Sequence, residues 1–309
     1  MSTYITVDGG TTSTRLNLLR DSVILDTVKL NIGARAAMDD RKSYTDAIKN
    51  GIETLISRND AKDVKQILAS GMITCEFGLC NLPHIKAPAG LCELHEAMHE
   101  TVIEEISDIP FVFMRGVKVD SEDVDTFDMM RGEETELMGI ADRAYGACVY
   151  VLPGSHSKII KTDESGRILS FATMLTGEMI AALSQHTILK DAVDWSVDTL
   201  DRDYLLKGFE YAKEAGINKA LFKVRVLKNS FNRSREEVYN FFMGVVLCHE
   251  ILQIIKEEAR TVVLGGREQI KKAMTLILRE TTDKTVIELD GKTVDYSTSV
   301  GMVKIYEHQ

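Results

Sequence analysis

Short apolar runs separated by small-residue turns open the chain. Tyr4–Val7 is apolar and β-branched, Asp8–Ser13 is a Gly/Thr/Ser turn, and Arg15–Leu19 alternates with Leu16 and Leu18 on one face. Asp21-Ser22 turns the chain into Val23–Leu30, the third predicted strand. Ser43 then caps a helix in which Ala47, Ile48, Ile52, Leu55 and Ile56 keep an i, i+3/i+4 rhythm. Val64–Ala69 reads as a strand ending in the small loop Ser70-Gly71. Leu94, Met98, Thr101, Val102 and Ile106 form a second helical stripe, and Phe111–Met114 a short strand after Pro110. A helix from about Glu133 turns Leu137, Ile140, Ala141 and Ala144 inward.

The opening order then returns. Cys148–Leu152 is a strand, Pro153–His156 a tight loop, Lys158–Lys161 a strand, Asp163–Gly166 a turn and Ile168–Met174 a strand. Helices follow from near Gly177, over about Asp201–Ala215 with Gly216 as the stop, and over about Arg235–Glu258. Strand Thr261–Leu264, a Gly265-Gly266 turn, a helix, strand Thr285–Leu289 and a final short helix close the chain. The halves share element order, not residues. This predicts a duplicated α/β fold, residues 1–144 and 145–309, with a ligand cleft between the copies.

Composition narrows the class. The chain has 309 residues, 44% hydrophobic and 27% charged, which suits globular domains with their own cores. The longest uncharged apolar run, Phe241–Cys248, is far short of the ~20 residues of a membrane helix. The first residues carry neither a basic region nor a long apolar segment, so no export signal is expected. A net charge of -10 without a Lys/Arg-rich block argues against a nucleic-acid partner. Five irregularly spaced cysteines read as free thiols in a reducing, cytoplasmic setting. No oligomeric state is written in the pattern, which allows a homodimer.

Three segments suit phosphate chemistry. Asp8-Gly9-Gly10-Thr11-Thr12-Ser13 offers close backbone approach, hydroxyls and, at Asp8, a carboxylate able to hold Mg²⁺ through water. Pro153-Gly154-Ser155-His156-Ser157-Lys158 stands at the matching place in the second half. Val262–Gly266 runs an apolar strand into a double glycine against which a ring or ribose could lie. Neither a P-loop nor a Gly-x-Gly-x-x-Gly fingerprint is present. Glu133 and Glu134 open a helix behind Arg131-Gly132, where a carboxylate could serve as general base in phosphoryl transfer. Thr176-Gly177-Glu178 suits a helix cap or a ligand for a substrate hydroxyl. Cys92, His95 and His99 would share a helix face, but their spacing matches no closed zinc pattern. No Gly-x-Ser-x-Gly elbow supports covalent hydrolysis.

Taken together, Asp8–Arg15, Ser70-Gly71-Met72-Ile73, Met130–Gly139, Leu152–Lys158, Leu175–Glu178 and Leu221–Arg225 resemble the 2-dehydro-3-deoxygalactonokinase family of the sugar-kinase/actin/hsp70 ATPase superfamily. The resemblance implies two ribonuclease-H-like domains that close on ATP, Mg²⁺ and a sugar acid. It implies transfer of the γ-phosphoryl group to the 6-hydroxyl of 2-dehydro-3-deoxy-D-galactonate, in galactonate catabolism. Carried over by motif, Asp8, Gly9, Gly10, Thr11 and Thr12 with Gly154, Ser155, His156 and Ser157 would hold phosphates, and Gly265 and Gly266 the adenosine. The base would be Glu133 or Glu134. Ser70, Gly71, Met72, Glu178 and the cations Arg15, Arg131 and Arg225 would face the sugar acid. The chain departs from the family where Glu76 stands in place of an arginine, and Gly9 in place of an aromatic residue. A different sugar acceptor, or an ATP-binding regulator of the same fold, is the alternative reading.

Overall fold

A computed structural model of the chain describes residues 2–21, 23–266 and 268–308. Ser22, half of the expected Asp21-Ser22 turn, lies outside them. The chain divides into two compact units. The first holds Met1–Ala144, Ser165–Ser170 and Asp295–Gln309, and the second Tyr145–Glu164 and Phe171–Val294.

In the first unit, β1 (Thr3–Gly9), β2 (Thr14–Arg20) and β3 (Val23–Leu30) form an antiparallel meander. Helix α1 (Arg41–Asn59) leads into β4 (Val64–Gly71), parallel to β1. Then come β5 (Ile85–Lys86), α2 (Leu91–Glu96), β6 (His99–Ile103), β7 (Ser107–Phe113), β8 (Val117–Val119), β9 (Asp128–Met130) and α3 (Glu133–Ile140). The main sheet runs β3-β2-β1-β4-β7-β6, and β5-β8-β9 form a small second sheet. Strands β1, β4 and β7 are parallel, so Gly9, Gly71 and Phe113 end at the same sheet edge. Ile5, Val7, Leu16, Leu18, Ile48, Leu55, Ile67 and Phe111 fill the core between sheet and α1.

The second unit repeats the order with β10 (Cys148–Leu152), β11 (Ser157–Thr162) and β12 (Ile168–Met174), followed by four helices. These are α4 (Thr176–His186), α5 (Arg202–Ala215), α6 (Ile217–Asn229) and α7 (Arg235–Lys256). Next come β13 (Thr261–Leu264), α8 (Glu268–Thr281) and β14 (Thr285–Glu288); the closing helix α9 (Gly291–Tyr306) belongs to the first unit from Asp295 on. The sheet order is β12-β11-β10-β13-β14, which reproduces the first five positions of the other sheet. Helix α7 starts with a Ser234–Glu237 capping box and is buried through most of its length. By length and composition α7 is apolar enough to cross a membrane. Its apolar surface is instead consumed inside the unit, where it packs with Leu205, Phe209, Val262 and Met274.

Several sequence expectations are corrected. The Leu94–Ile106 stripe is not one helix: α2 stops at Glu96, and His99–Ile103 pairs antiparallel with β7. Its β-branched Thr101, Val102 and Ile103 alternate between half-buried and exposed, a period-2 pattern that the helical spacing masked. Cys92 and His95 therefore share α2, while His99 belongs to β6. The cap of α1 is Asp40, whose carboxylate accepts from the Ser43 backbone N–H at 3.0 Å. Helix α3 ends at Ile140, short of Ala144, and the closing helix α9 is long, with 16 residues.

Helices α3 and α9 cross at backbone contact. A Cβ on Gly301 would stand 1.8 Å from the Thr135 carbonyl oxygen, and one on Gly139 1.9 Å from that of Ser297. Gly301→Ala is therefore expected to cost about 3 kcal/mol or more through enforced separation of the helices. A denaturant midpoint equal to that of the wild type would contradict this crossing.

Candidate active site

The carboxyl edge of β1, β4 and β7 gathers the reactive residues of the first unit. Asp8 is registered opposite Arg15 on β2 and beside Ser70 on β4, and Gly9 beside Gly71. Gly71 (φ +87°) turns β4 into the short helical turn Met72–Thr74, and its Cα lies 3.3 Å from where a Cβ on Gly132 would stand. Gly132 itself has φ +113° and starts α3, so both positions exclude ordinary side chains. Ser70 Oγ and Thr135 Oγ1 share a 2.7 Å hydrogen bond that pins the first turn of α3 to the strand end. The loop after β1 is held by Gly10 N–H donating to Ser13 O, and by Ala34 and Arg35 N–H donating to the carbonyls of Gly10 and Thr11. Thr11, Thr12 and Ser13 stay exposed.

Three carboxylates crowd this edge. Burial pushes Asp8 above the ordinary carboxylate range; Arg15 opposes the shift and Glu133 adds to it. Glu134 is fully buried. Its oxygens accept from the Gly132 N–H at 2.8 and 3.0 Å and from the Thr135 hydroxyl at 3.0 Å. Burial, and then the Glu133 charge, raise its pKa to about 7 against those stabilising bonds. Glu133 is half-buried, and one of its oxygens accepts from Arg131 N–H at 3.1 Å.

The arginines named from sequence occupy different settings. Arg131 spends its guanidinium on the Thr74 carbonyl (2.8 Å) and hydroxyl (2.6 Å), the Leu82 carbonyl (2.9 Å) and His84 Nδ1 (3.3 Å). It fixes the Met72–His84 segment under the start of α3. His84 is held near pKa 4 by burial and by the Arg131 and Lys118 charges. Arg15 faces Asp8 and donates to the Asp295 carbonyl at 2.7 Å. Arg225 lies on α6 in the second unit and donates to Ile188 O at 3.2 Å. Glu76 is exposed after the Met72–Thr74 turn.

In the second unit, the loop Pro153–His156 meets the start of α4 and the double glycine. A Cβ on Gly177 would lie 2.2 Å from Gly154 O, and one on Gly266 2.4 Å from Pro153 O. Gly265 N–H donates to Val151 O at 2.9 Å, and Glu178 N–H to Ser155 O at 3.2 Å. His156 Nε2 and Glu178 Oε1 pair at 3.0 Å, so Glu178 braces the loop. Glu250 was not singled out from sequence. It is buried in α7, accepts from Ser157 Oγ at 2.5 Å and from the Thr176 hydroxyl, and so ties loop to helix. Its signal was a lone acid inside an apolar helical run, which burial favours only when its oxygens are satisfied. Beside this assembly lies a cavity of about 360 Å³ lined by Gly177, Ile180, Trp195, Tyr239, Met243 and Gln269 among others. Among the described residues, no three His, Cys, Asp or Glu side chains are grouped to enclose a metal ion.

Comparison with known proteins points one way. The model of the 2-keto-3-deoxy-galactonokinase family matches residues 8–300. A probable 2-dehydro-3-deoxygalactonokinase of Rhizobium meliloti is 31% identical over 196 residues, 62% of this chain and 59% of the relative. That alignment thus spans less than two thirds of the relative. The 2-dehydro-3-deoxygalactonokinase of Escherichia coli is 26% identical over 85% of both chains. A crystal structure from Sinorhizobium meliloti, classed as a 2-dehydro-3-deoxygalactonokinase, superposes with a TM-score of 0.79 at 23% identity, covering 98% of this chain and 97% of that one. The fold is the α/β actin-like ATPase fold.

The Glu134 setting has a pH signature. Its folded pKa, about 7, lies above the ordinary 4.5. Its contribution to stability is therefore complete below about 4.5 and lost as pH rises through 7, an effect of about 3 kcal/mol. Glu134→Gln removes the ionisation with little change of shape. Its melting temperature should gain on the wild type as pH is raised from 5 to 8, and parallel pH curves would show that Glu134 is not held in this way.

Proposed function

Because the chain belongs to the 2-keto-3-deoxy-galactonokinase family, a family of carbohydrate kinases, we propose that it transfers the γ-phosphoryl group of ATP to the 6-hydroxyl of 2-dehydro-3-deoxy-D-galactonate in galactonate catabolism. The observation that carries this reading is the pair Glu133–Glu134, fixed at the start of α3 beside Asp8 on the carboxyl edge of three parallel strands. Ligands of open α/β sheets bind at such edges.

Phosphoryl transfer asks for positioning and charge neutralisation more than for covalent chemistry. Glu133 is the residue suited to accept the sugar hydroxyl's proton. It is half-buried rather than sealed, whereas both Glu134 oxygens already serve the first turn of α3. Glu134 then shapes that turn, and Ser70, Gly71 and Met72 lie level with it to seat the sugar. The exposed hydroxyls of Thr11, Thr12 and Ser155, with backbone N–H groups of the loops Gly9–Thr12 and Gly154–Ser157 not already engaged, take phosphate oxygens, while Ser157 and the Gly10 N–H hold the loops in shape. Gly265-Gly266 and the cavity beside α4 take the adenosine, against Trp195, Tyr239 and Met243. The donor set suits Mg²⁺: Asp8 and Glu133 place two carboxyl groups near each other, and hard oxygen ligands with water favour that ion. Bound there, Mg²⁺ would neutralise phosphate charge. A cytoplasmic location, and action without nucleic acid or membrane, complete the proposal.

A coupled ADP-release assay with Mg-ATP tests it against 2-dehydro-3-deoxygalactonate, its gluconate epimer, galactonate and neutral sugars. Turnover concentrated on the 2-keto-3-deoxy acids is expected; a neutral sugar as best acceptor would reassign the substrate. Glu133→Gln should lower kcat by about 10²- to 10⁴-fold while nucleotide still binds. Should Glu134→Gln produce that loss and Glu133→Gln not, the two roles are exchanged.

The tie made by Glu250 gives a separate expectation. Glu250→Ala frees Ser157 and Thr176 together and leaves two buried hydroxyls without their acceptor, so KM for ATP should rise roughly tenfold or more. KM for the sugar acid should stay within about twofold, since Glu250 and both partners lie in the second unit. Equal changes in both constants would point to general loosening instead.

A further inference from the structure

Among the described residues of the first unit, Arg115 is a cation at the candidate site to which no role has yet been given. Arg115 follows β7 directly after Met114, whose N–H donates to Ala69 O at 2.8 Å and extends the β4–β7 pairing by one step. It therefore stands at the same carboxyl edge as Asp8, Gly9, Ser70 and Gly71. The next residue is wedged tightly. A Cβ on Gly116 would lie 2.5 Å from Met130 O and 2.6 Å from the His84 ring. The Arg115 backbone is thus fixed against the segment that runs straight into Arg131, Gly132, Glu133 and Glu134.

The Arg115 side chain is half-buried, and its Nε is buried without a hydrogen-bond partner. Among the described residues Arg115 makes no hydrogen bond and no ion pair. A buried, unsatisfied charged donor is costly and calls for an explanation. The neighbouring arginines are occupied: Arg131 by Thr74, Leu82 and His84, and Arg15 by the Asp295 carbonyl opposite Asp8. Asp8, Glu133 and Glu134 crowd carboxyl groups at this edge, alongside the charges of Arg15 and Arg131. A substrate that carries its own carboxylate would be repelled there unless a free cation received it.

We propose that Arg115 is the specificity-determining residue of this site, its guanidinium binding the carboxylate of the sugar-acid substrate. A planar fork matches a carboxylate by two parallel hydrogen bonds, which a lysine cannot reproduce. The assignment rests on the sugar-acid kinase reading. It adds that acid is distinguished from neutral sugar by Arg115, just after β7, rather than by Arg15 on β2 or Arg131 ahead of α3.

The test is steady-state kinetics of wild type, Arg115→Gln and Arg115→Lys with 2-dehydro-3-deoxygalactonate and with its carboxamide, which keeps the hydroxyls and loses the charge. Wild type should prefer the acid. In Arg115→Gln, KM for the acid should rise about ten- to hundredfold, the range expected for lost hydrogen bonds to a charged group. KM for the carboxamide and for ATP should move less than about twofold, so the preference collapses. Arg115→Lys should recover part of the acid KM. Unchanged acid KM in Arg115→Gln, or acid and carboxamide constants rising together, overturns the assignment, as does collapse of the preference in Arg15→Gln instead. If Arg115→Gln fails to fold, Arg115→Lys decides alone, since it keeps the charge but not the fork and must raise acid KM selectively. A wild type that turns over no sugar acid fails the kinase reading itself, and the assignment falls with it.

Discussion

Everything in the first unit depends on how closely the start of α3 can approach the ends of β1 and β4. The approach is backbone against backbone, at Gly71 and Gly132, and is locked by the Ser70–Thr135 hydroxyl pair. No side chain separates helix and strands there. The helix therefore delivers Glu133 and Glu134 next to Asp8 instead of a side chain's length away. That closeness creates the electrostatics: three carboxylates at one sheet edge, one raised to about 7 and another displaced upward by burial and its neighbour. The Arg131 hub serves the same end, clamping the Met72–His84 segment beneath the helix.

The second unit reuses the strand order with opposite chemistry at its edge. Where the first edge is crowded with carboxylates, the loop Gly154–Ser157 exposes Ser155 and His156, while Lys158 is buried behind it and donates to the His156 carbonyl. Its buried acid, Glu250, is turned inward onto Ser157 and Thr176 and is spent on holding the loop. On the proposed reading, one sheet edge activates and orients an acceptor, and the other receives anions. Common topology with divergent edges is what a fold hosting many reactions requires, because chemistry resides in the loops.

Much of the fold was legible because its strands are β-branched runs bounded by turn residues. Val23–Leu30, Cys148–Leu152, Ile168–Met174 and Thr261–Leu264 fall where the pattern puts them. Strands β5, β8 and β9, with two or three residues each, exist through pairing and carry no local signal. The α2–β6 region misled because an apolar spacing of three and four also accommodates a half-exposed edge strand. At the candidate site, glycines and acids could be flagged by motif, but not their partners. Glu250 meets Ser157 across 93 positions, and Arg131 meets Leu82 across 49. Arg115 sits in no motif; its candidacy comes from being left unpaired where its neighbours are engaged, a property of the assembled structure alone.

The crowded edge is unfavourable in the empty protein, and this bears on binding. Desolvated like charges raise the free energy of the folded state, and burial without a counter-ion is tolerated only in part by proton uptake, as at Glu134. The buried, unsatisfied Nε of Arg115 at the same edge carries a desolvation cost of its own. Among the described residues no ion pair joins Arg115 to these carboxylates. On the proposed reading, a substrate whose carboxylate is received by Arg115, bound together with a cation at Asp8 and Glu133, relieves both at once. Its affinity then includes release of strain already present in the site, so the same feature that weakens the empty unit favours a charged acceptor with a hydroxyl at the opposite end from its acid group.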